Sequence, residues 1–219
     1  MRESAVDAIL MASGFSRRFG GENKLLVPFR GKPLVRHTLE LACSIDCIKH
    51  VFLVTSFDEV ASLALKLSHA RNVKIIRNDH PERGQRESVR LGVEASSADW
   101  YLFFPCDQPL LDAETVMSII GAAKTEGQII QPFFRTGIMQ RGFGHFSDGF
   151  GGGYPGRPGN PVLFSASFRE ELLSLQEGEH PRNIKERNPE AVYSIEVENE
   201  TALFDADDPE TLLRLEGIG

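Results

Sequence analysis

Three cysteines in 219 residues, Cys43, Cys47 and Cys106, are too few and too oddly numbered for a disulfide framework, and they show no paired metal-binding spacing. They read as reduced thiols. Cys43 and Cys47 stand four residues apart, the spacing of a core-facing stripe on a helix. Long apolar runs are missing as well. No window approaches the roughly 18 to 20 residues that a membrane-spanning helix needs, and the start "MRESAVDAILMA" is too short and too acidic for a secretory signal. A cytoplasmic protein is expected. Positive charge is in deficit, with 24 Lys and Arg against 31 Asp and Glu and a formal net charge of -7. Nucleic acid and membrane surfaces are therefore not expected as partners, and any anion has to be caught by a local cluster of charge. The sequence also has no internal repeat, heptad array or low-complexity tail.

What is present is ordinary in bulk: 41% hydrophobic and 25% charged residues suit a globular protein, and the length suits one domain over residues 1–219. Short apolar runs alternate with helix-length amphipathic stretches. The pattern predicts strands at Val6–Ala12, His50–Thr55, Val73–Ile76 and Trp100–Pro105, with helices at Pro33–Ile45, Phe57–His69, Arg86–Ala95 and Ala113–Lys124. Such alternation implies right-handed crossovers, hence a doubly wound α/β domain with a mainly parallel, Rossmann-like sheet. After Gln131 the rhythm breaks. Residues 142–159 are so rich in glycine, with prolines among them, that they read as a flap over a site. Then follow the apolar "VLF", two helices within Ser167–Arg187, a strand at Val192–Val197 and a last helix opened by "DADDPETLLRL". Residues 1–130 and 131–219 thus form two halves of one domain.

In an open α/β sheet the loop after the first strand lies at the ligand-binding edge. Here that loop runs from Ala12 through Ser13, Gly14, Phe15 and Ser16 to Arg18 and Lys24. Glycines at 14 and 20 let the backbone turn its N–H groups toward an anion, while Arg18, Lys24 and the Ser16 hydroxyl add charge and a donor. The loop has the makings of a phosphate cradle, but it is neither of the two commonest kinds. A Walker loop needs Gly-Lys-Ser/Thr leading into a helix, and Lys24 is followed by "LLVPF"; the dinucleotide fingerprint Gly-x-Gly-x-x-Gly is absent. The spacing Gly14-x-Ser16-x-Arg18-x-Gly20, with Lys24 beyond it and then "GKPL", resembles the signature of nucleotidyltransferases that load an NTP onto a phosphorylated acceptor.

A triphosphate at such a site calls for a divalent ion and hard oxygen ligands. Asp107, in "PCDQP" just past the strand Trp100–Pro105, falls at the same sheet edge, and the resemblance makes it a metal ligand. Cys106 beside it reads as a buried thiol, with no partner to make it a nucleophile. "DADDPE" near the C-terminus holds more carboxylates than capping requires: Asp208 before Pro209 suffices as the cap. The stretch is similar to an acidic segment of the cytidylyl branch of the family, whose side chains face the metal, which makes Asp207 the second ligand and Asp205 the next.

Together these parts resemble the molybdenum cofactor cytidylyltransferases, which join CMP from CTP to molybdopterin and release pyrophosphate. The likeness extends to "RGQRESVRLG", which carries Arg86 and Ser88 near nucleotide and sugar, to "RPGNPVLF", where relatives read Gly-His-Pro-Val-Leu-Phe, and to "EGEHPRNIKERNP", where many read Gly-Asp-x-Gly-Ala-Arg. The departures are Ser13, where alanine or glycine is usual and the residue bears on the choice of base, Asn160 for histidine, and Gly-Glu-His-Pro for Gly-Asp-x-Gly. The resemblance implies Arg18, Lys24 and Asp107 as catalytic residues. Ala12, Ser13, Gly14, Phe15, Ser16 and Ser88 join Arg18 and Lys24 at the nucleotide; Arg157, Asn160 and Arg182 face the acceptor; Mg²⁺ or Mn²⁺ sits on Asp107, Asp207 and Asp205. A phosphate acceptor is already ionised and needs no general base, and His80, His145 and His180 form no evident dyad. A molybdenum hydroxylase is the implied recipient. Guanylyl transfer, transfer to a sugar or polyol phosphate, and a non-catalytic accessory role in hydroxylase maturation stay open as alternatives.

Overall fold

The computed structural model of the chain describes residues 4–67, 72–134 and 157–218. Most of the glycine-rich stretch, with His145 and Tyr154, and the predicted helix end at His69 lie outside the described residues. In chain order the elements are β1 (Val6–Ala12), β2 (Pro28–Phe29), β3 (Lys32–Pro33), α1 (Leu34–Ser44), β4 (Ile48–Thr55), α2 (Asp58–Leu67), β5 (Val73–Arg77), α3 (Gln85–Ala95), β6 (Trp100–Pro105), α4 (Ala113–Gly121), β7 (Ile129–Phe134), β8 (Arg157–Pro158), β9 (Val162–Ser165), α5 (Arg169–Leu173), α6 (Pro181–Arg187), β10 (Val192–Glu196) and α7 (Pro209–Glu216). Single 3-10 turns at Arg17–Phe19 and Lys24–Leu26 shape the loop after β1.

The main sheet runs β10-β7-β9-β6-β1-β4-β5, with β8 alongside β7. Its β1–β4, β4–β5, β1–β6 and β7–β10 pairs are parallel, as the alternating pattern predicts. Side-chain alternation along each strand feeds two cores. Ala8, Leu10, Leu53, Leu102 and Phe104 point to one face, where Val35 and Leu39 of α1, Val60 of α2 and Ile119 of α4 cover them. Ile9, Phe52, Val54, Tyr101 and Phe103 point to the other, under Val89 and Val93 of α3, Leu172 of α5 and Ile184 of α6. Helices on both faces make the sheet doubly wound. From β1 the chain moves out to β4 and β5 and then returns to β6 on the opposite side. The switch point, where open α/β sheets bind ligands, therefore lies at the carboxyl ends of β1 and β6.

Two differences from the sequence pattern have physical causes. The stretch after Ile129 continues as strand β7, wholly buried, although Pro132 sits inside it. A proline is tolerated there because, on the side away from β10, β9 pairs only with Ile129 and Ile130 and β8 only with Phe133 and Phe134; Pro132 faces the gap between them, where its carbonyl accepts from Gly159 N at 2.8 Å and no ladder bond is asked of its nitrogen. The segment "VLF" becomes β9, antiparallel to both β6 and β7, so the sheet is mixed at that point. A smaller difference concerns the thiols. Helix α1 stops at Ser44, which leaves Cys43 half-buried and Cys47 exposed beyond the helix end, so the two do not form a core stripe.

A third apolar cluster positions the site. Phe19 from the opening loop, Phe29 and Leu34 after it, and Leu203, Phe204, Ala206, Leu212 and Leu215 near the C-terminus pack together. Burying side chains of this size is worth about 1.5 to 3 kcal/mol each. This packing draws the first loop and the last acidic segment to the same sheet edge, although they are far apart in sequence.

Candidate active site

The loop leaving β1 is held from below. Ser13 is buried and its Oγ donates to the Val54 carbonyl at 3.2 Å, while Thr55 Oγ1 donates to the buried Ala12 carbonyl at 2.9 Å. Gly14 and Phe15 are exposed above them. Of the two glycines credited with turning the loop, Gly20 is left-handed (φ 62°), as is Gly21 (φ 97°), while Gly14 is not and Ser16 (φ 50°) takes the other left-handed position. A serine in that conformation is strained by about 1 kcal/mol or more, and its Oγ accepts from Lys24 N at 3.1 Å, which closes the loop over itself.

Lys24 is the centre of the charge cluster. Its ammonium donates to Asp107 Oδ2 and lies 3.8 Å from Asp207 Oδ1, while Arg18 Nη1 lies 3.1 Å from Asp207 Oδ2. The Lys24 and Asp107 side chains are only 16% and 17% exposed, against 67% for Arg18, so the Lys24 pair is the strongly coupled one. The backbone joins the two acidic segments directly: Ala206 N donates to the Asp107 carbonyl at 2.7 Å. Gln108, buried, donates from Nε2 to Asp205 Oδ1 at 2.9 Å and to the Leu203 carbonyl at 3.2 Å. Burial and the negative charges of Asp107 and Asp207 push the Asp205 carboxyl up to about 7. Burial, opposed by Asp205 and Asp207, lowers Arg157. Asp208 caps α7, accepting from Thr211 N at 2.8 Å, the role its place before Pro209 suggests. Burial and the charge of Asp107 raise the Cys106 thiol well above its usual range, which makes it a poor nucleophile.

The residues present fit a divalent ion. Asp107 Oδ1 is buried with no hydrogen-bond partner, a costly state for a carboxylate oxygen unless something else coordinates it. Among the described residues no three His, Cys, Asp or Glu side chains form a complete metal cage. A cage is not required for Mg²⁺, which keeps waters and takes one or two carboxylates together with phosphate oxygens.

The remaining predicted residues separate into two groups. Ser88 is buried on α3 and its Oγ accepts from Asn78 Nδ2 at 3.1 Å; Asn78 in turn accepts from His80 N at 3.0 Å and bonds through its own N–H to the Thr55 carbonyl at 2.9 Å. Ser88 thus lies beneath the β5–α3 loop, with Arg86 Nε bonded to the Arg83 carbonyl above it. Asn160 and Arg182, by contrast, line one cavity of about 350 Å³ together with Gln85, Phe103, Phe164 and Lys185. Arg157 belongs with the carboxylates rather than with that cavity. Sequence reasoning missed Gln108, Asn78 and Lys185. Only Gln108 had a visible signal, its place in "PCDQP" next to a metal candidate.

A family model described as the MobA-like NTP transferase domain matches residues 8–192, most of the chain. This chain belongs to that family. Among curated relatives, a probable molybdenum cofactor guanylyltransferase of Haloferax mediterranei is 30% identical over 131 residues, 59% of this chain and 60% of the relative. A molybdenum cofactor guanylyltransferase of Shewanella putrefaciens is 26% identical over 123 residues, 56% and 59% of the two chains. The alignments therefore span about three fifths of these relatives' length. Two solved structures share the fold over nearly the whole chain. The 4-diphosphocytidyl-2C-methyl-D-erythritol synthase of Anaerococcus prevotii superposes with a TM-score of 0.74 at 14% identity, covering 98% of this chain and 96% of its own. Rv0371c of Mycobacterium tuberculosis, solved in complex with manganese, gives 0.72 at 17% identity, covering 99% and 100%. The MobA-like family fold places the opening loop and the "PCDQP" turn together at the switch point of the sheet, and no described helix is long and apolar enough to cross a membrane.

Proposed function

We propose that this protein is a nucleotidyltransferase that moves a nucleoside monophosphate from an NTP to the phosphate of molybdopterin and releases pyrophosphate. The observation that carries the reading is the meeting of Lys24 with Asp107 and Asp207 at one sheet edge, beside the exposed Gly14 and Phe15 of the opening loop. A phosphate oxygen of the acceptor attacks the α-phosphorus, the bond to the bridging oxygen breaks, and the negative charge leaves on pyrophosphate. Arg18, Lys24 and the loop from Ala12 through Ser13, Gly14 and Phe15 to Ser16 hold the triphosphate and stabilise that charge. Ser88 supports the nucleotide side through Asn78. Asp107 and Asp207, with Asp205 beside them, would hold Mg²⁺ or Mn²⁺, an ion that neutralises polyphosphate charge and orients the α-phosphate when bound. On this reading residues 1–130 serve the nucleotide, residues 131–219 the acceptor, and a molybdenum hydroxylase receives the product.

The sequence resemblance favours CTP as donor. GTP is the second reading, favoured by the names of the relatives in Haloferax mediterranei and Shewanella putrefaciens, and Ser13 at the base-discriminating position departs from the usual residue on either account. The test is pyrophosphate release with each of the four NTPs and purified molybdopterin, with sugar phosphates as competing acceptors. CTP-driven turnover on molybdopterin is expected; GTP-driven turnover selects the second reading. Turnover on sugar phosphates alone, or none at all, overturns both.

A further inference from the structure

The cavity that takes in Asn160 and Arg182 has a composition of its own. Met11, Phe103, Val162 and Phe164 give it apolar walls, and the rings of Phe103 and Phe164 are fixed edge to face with centroids 5.6 Å apart. Its volume of about 350 Å³ lies within the roughly 300 to 1,000 Å³ usual for small-molecule sites. The cavity wall Pro158–Asn160 follows directly in sequence on Arg157, whose ionisation responds to Asp205 and Asp207.

Lys185 of α6 lines this cavity and is half-buried. Ile184 next to it is fully buried, and His180 and Asn183 cap the helix reciprocally, so the lysine is presented from a fixed element. Its ammonium donates to Oε1 of Gln131, itself buried in the middle of β7. An ammonium has three donors, and the described residues account for one of them. Among the described residues that line the cavity there is no Asp or Glu, and Glu186, whose charge reaches Lys185, is paired with Arg182 at 2.9 Å. Burial and the neighbouring Arg182 bring Lys185 down to about 8. Holding a half-buried cation beside Arg182 without a facing carboxylate is unfavourable. A ligand rich in hydrogen-bond acceptors would supply the compensating partners.

We propose that Lys185 is the acceptor-recognition residue: steadied by Gln131, it donates to a hydrogen-bond-accepting group of the acceptor molecule seated in this cavity. The phosphate arm of that molecule then extends toward Asp107 and Asp207. The inference rests on the proposed transfer reaction, whose acceptor enters from this side, but it names a residue and a chemistry that the reaction alone does not require.

The experiment measures molybdopterin binding without nucleotide, through pterin fluorescence, alongside CTP and GTP binding by calorimetry, for the wild type, Lys185→Met and Lys185→Gln. Removing the charge should weaken molybdopterin binding about thirtyfold, a typical consequence of deleting one buried charged contact, and leave nucleotide binding within about twofold. Melting temperature should stay level or rise, because the buried ammonium is lost. Unchanged molybdopterin binding in both variants, an equal loss of nucleotide affinity, or a lower melting temperature in both would overturn the proposal. These readouts need no turnover. If the wild type forms no pyrophosphate with any NTP while the binding split persists, the transfer reading fails separately.

Discussion

Lys24 and Arg18 carry the same formal charge toward the same carboxylates, yet their environments assign them different work. Lys24 is largely buried between Asp107 and Asp207, where electrostatic interactions are strong; Arg18 is mostly exposed, where water screens it. Lys24→Met should therefore lower kcat by about a hundredfold, while Arg18→Ala raises the KM for NTP by about tenfold or less, an effect that fades as salt is added. Steady-state kinetics at two ionic strengths checks both. Asp107→Asn keeps the shape but removes the carboxylate, and should also lower turnover about a hundredfold; a hydroxylase matured normally by this variant would favour the accessory role. Lys185 supplies a pH dependence with a defined sign. Its folded pKa, about 8, lies below its ordinary 10.5, so the folded protein gives up this proton first and the unfolded chain binds more protons between those values. Its cost to stability thus diminishes as pH rises through that window, while molybdopterin binding weakens from pH 7 to 9 as the donor loses its charge. His180 and Arg182 are the other ionisable groups among the described cavity-lining residues, and Glu186 acts from the same helix. Lys185→Arg should flatten the binding profile if Lys185 sets it.

At the scale of elements, α7 depends on a single cap. Asp208 accepts from Thr211 N, and Asp208→Ala should cost about 1 kcal/mol in denaturant unfolding. Close packing of α3 on β1 is the other sensitive contact: a Cβ on Gly92 would come within 2.4 Å of Ile9 Cγ2, so Gly92→Ala should cost about 1 to 3 kcal/mol. Elements of this kind were legible in the sequence where one rule applied. β1 and β6 begin and end where their apolar runs do, and "DDPE" announces both cap and helix. β7 was hidden because Pro132 argues against a central strand, and only the gap between β8 and β9, a property of the folded sheet, makes it acceptable. Lys24 and Asp107 could be picked out because each follows a strand ending at the same sheet edge. Lys185 could not, because in "NIKER" it reads as a helix surface lysine until Gln131 of β7 comes up to it.

The whole molecule brings its two ends together at the price of gathering charge. The cluster of Phe19, Phe29, Phe204 and Leu212 closes the chain so that Asp205 and Asp207 approach Asp107, and burial together with that proximity raises the Asp205 carboxyl. Lys24 and Arg18 offset part of that repulsion, and a bound cation would offset more. Folded protein, but not unfolded chain, offers these carboxylates at one place, so an ion that binds them must stabilise the fold by mass action. At about a hundredfold over its dissociation constant the gain is about 2.7 kcal/mol, equivalent to about 5 to 10 °C in melting temperature for a chain of this size. We expect Mn²⁺ or Mg²⁺ to raise the melting temperature and chelator to reverse the rise. Asp107→Asn should lose most of the shift, whereas Lys24→Met, which leaves the carboxylates less neutralised, should melt lower in chelator and gain more from the ion. Equal shifts in wild type and Asp107→Asn would mean that the cation binds elsewhere and that the carboxylates are balanced by Lys24 and Arg18 alone.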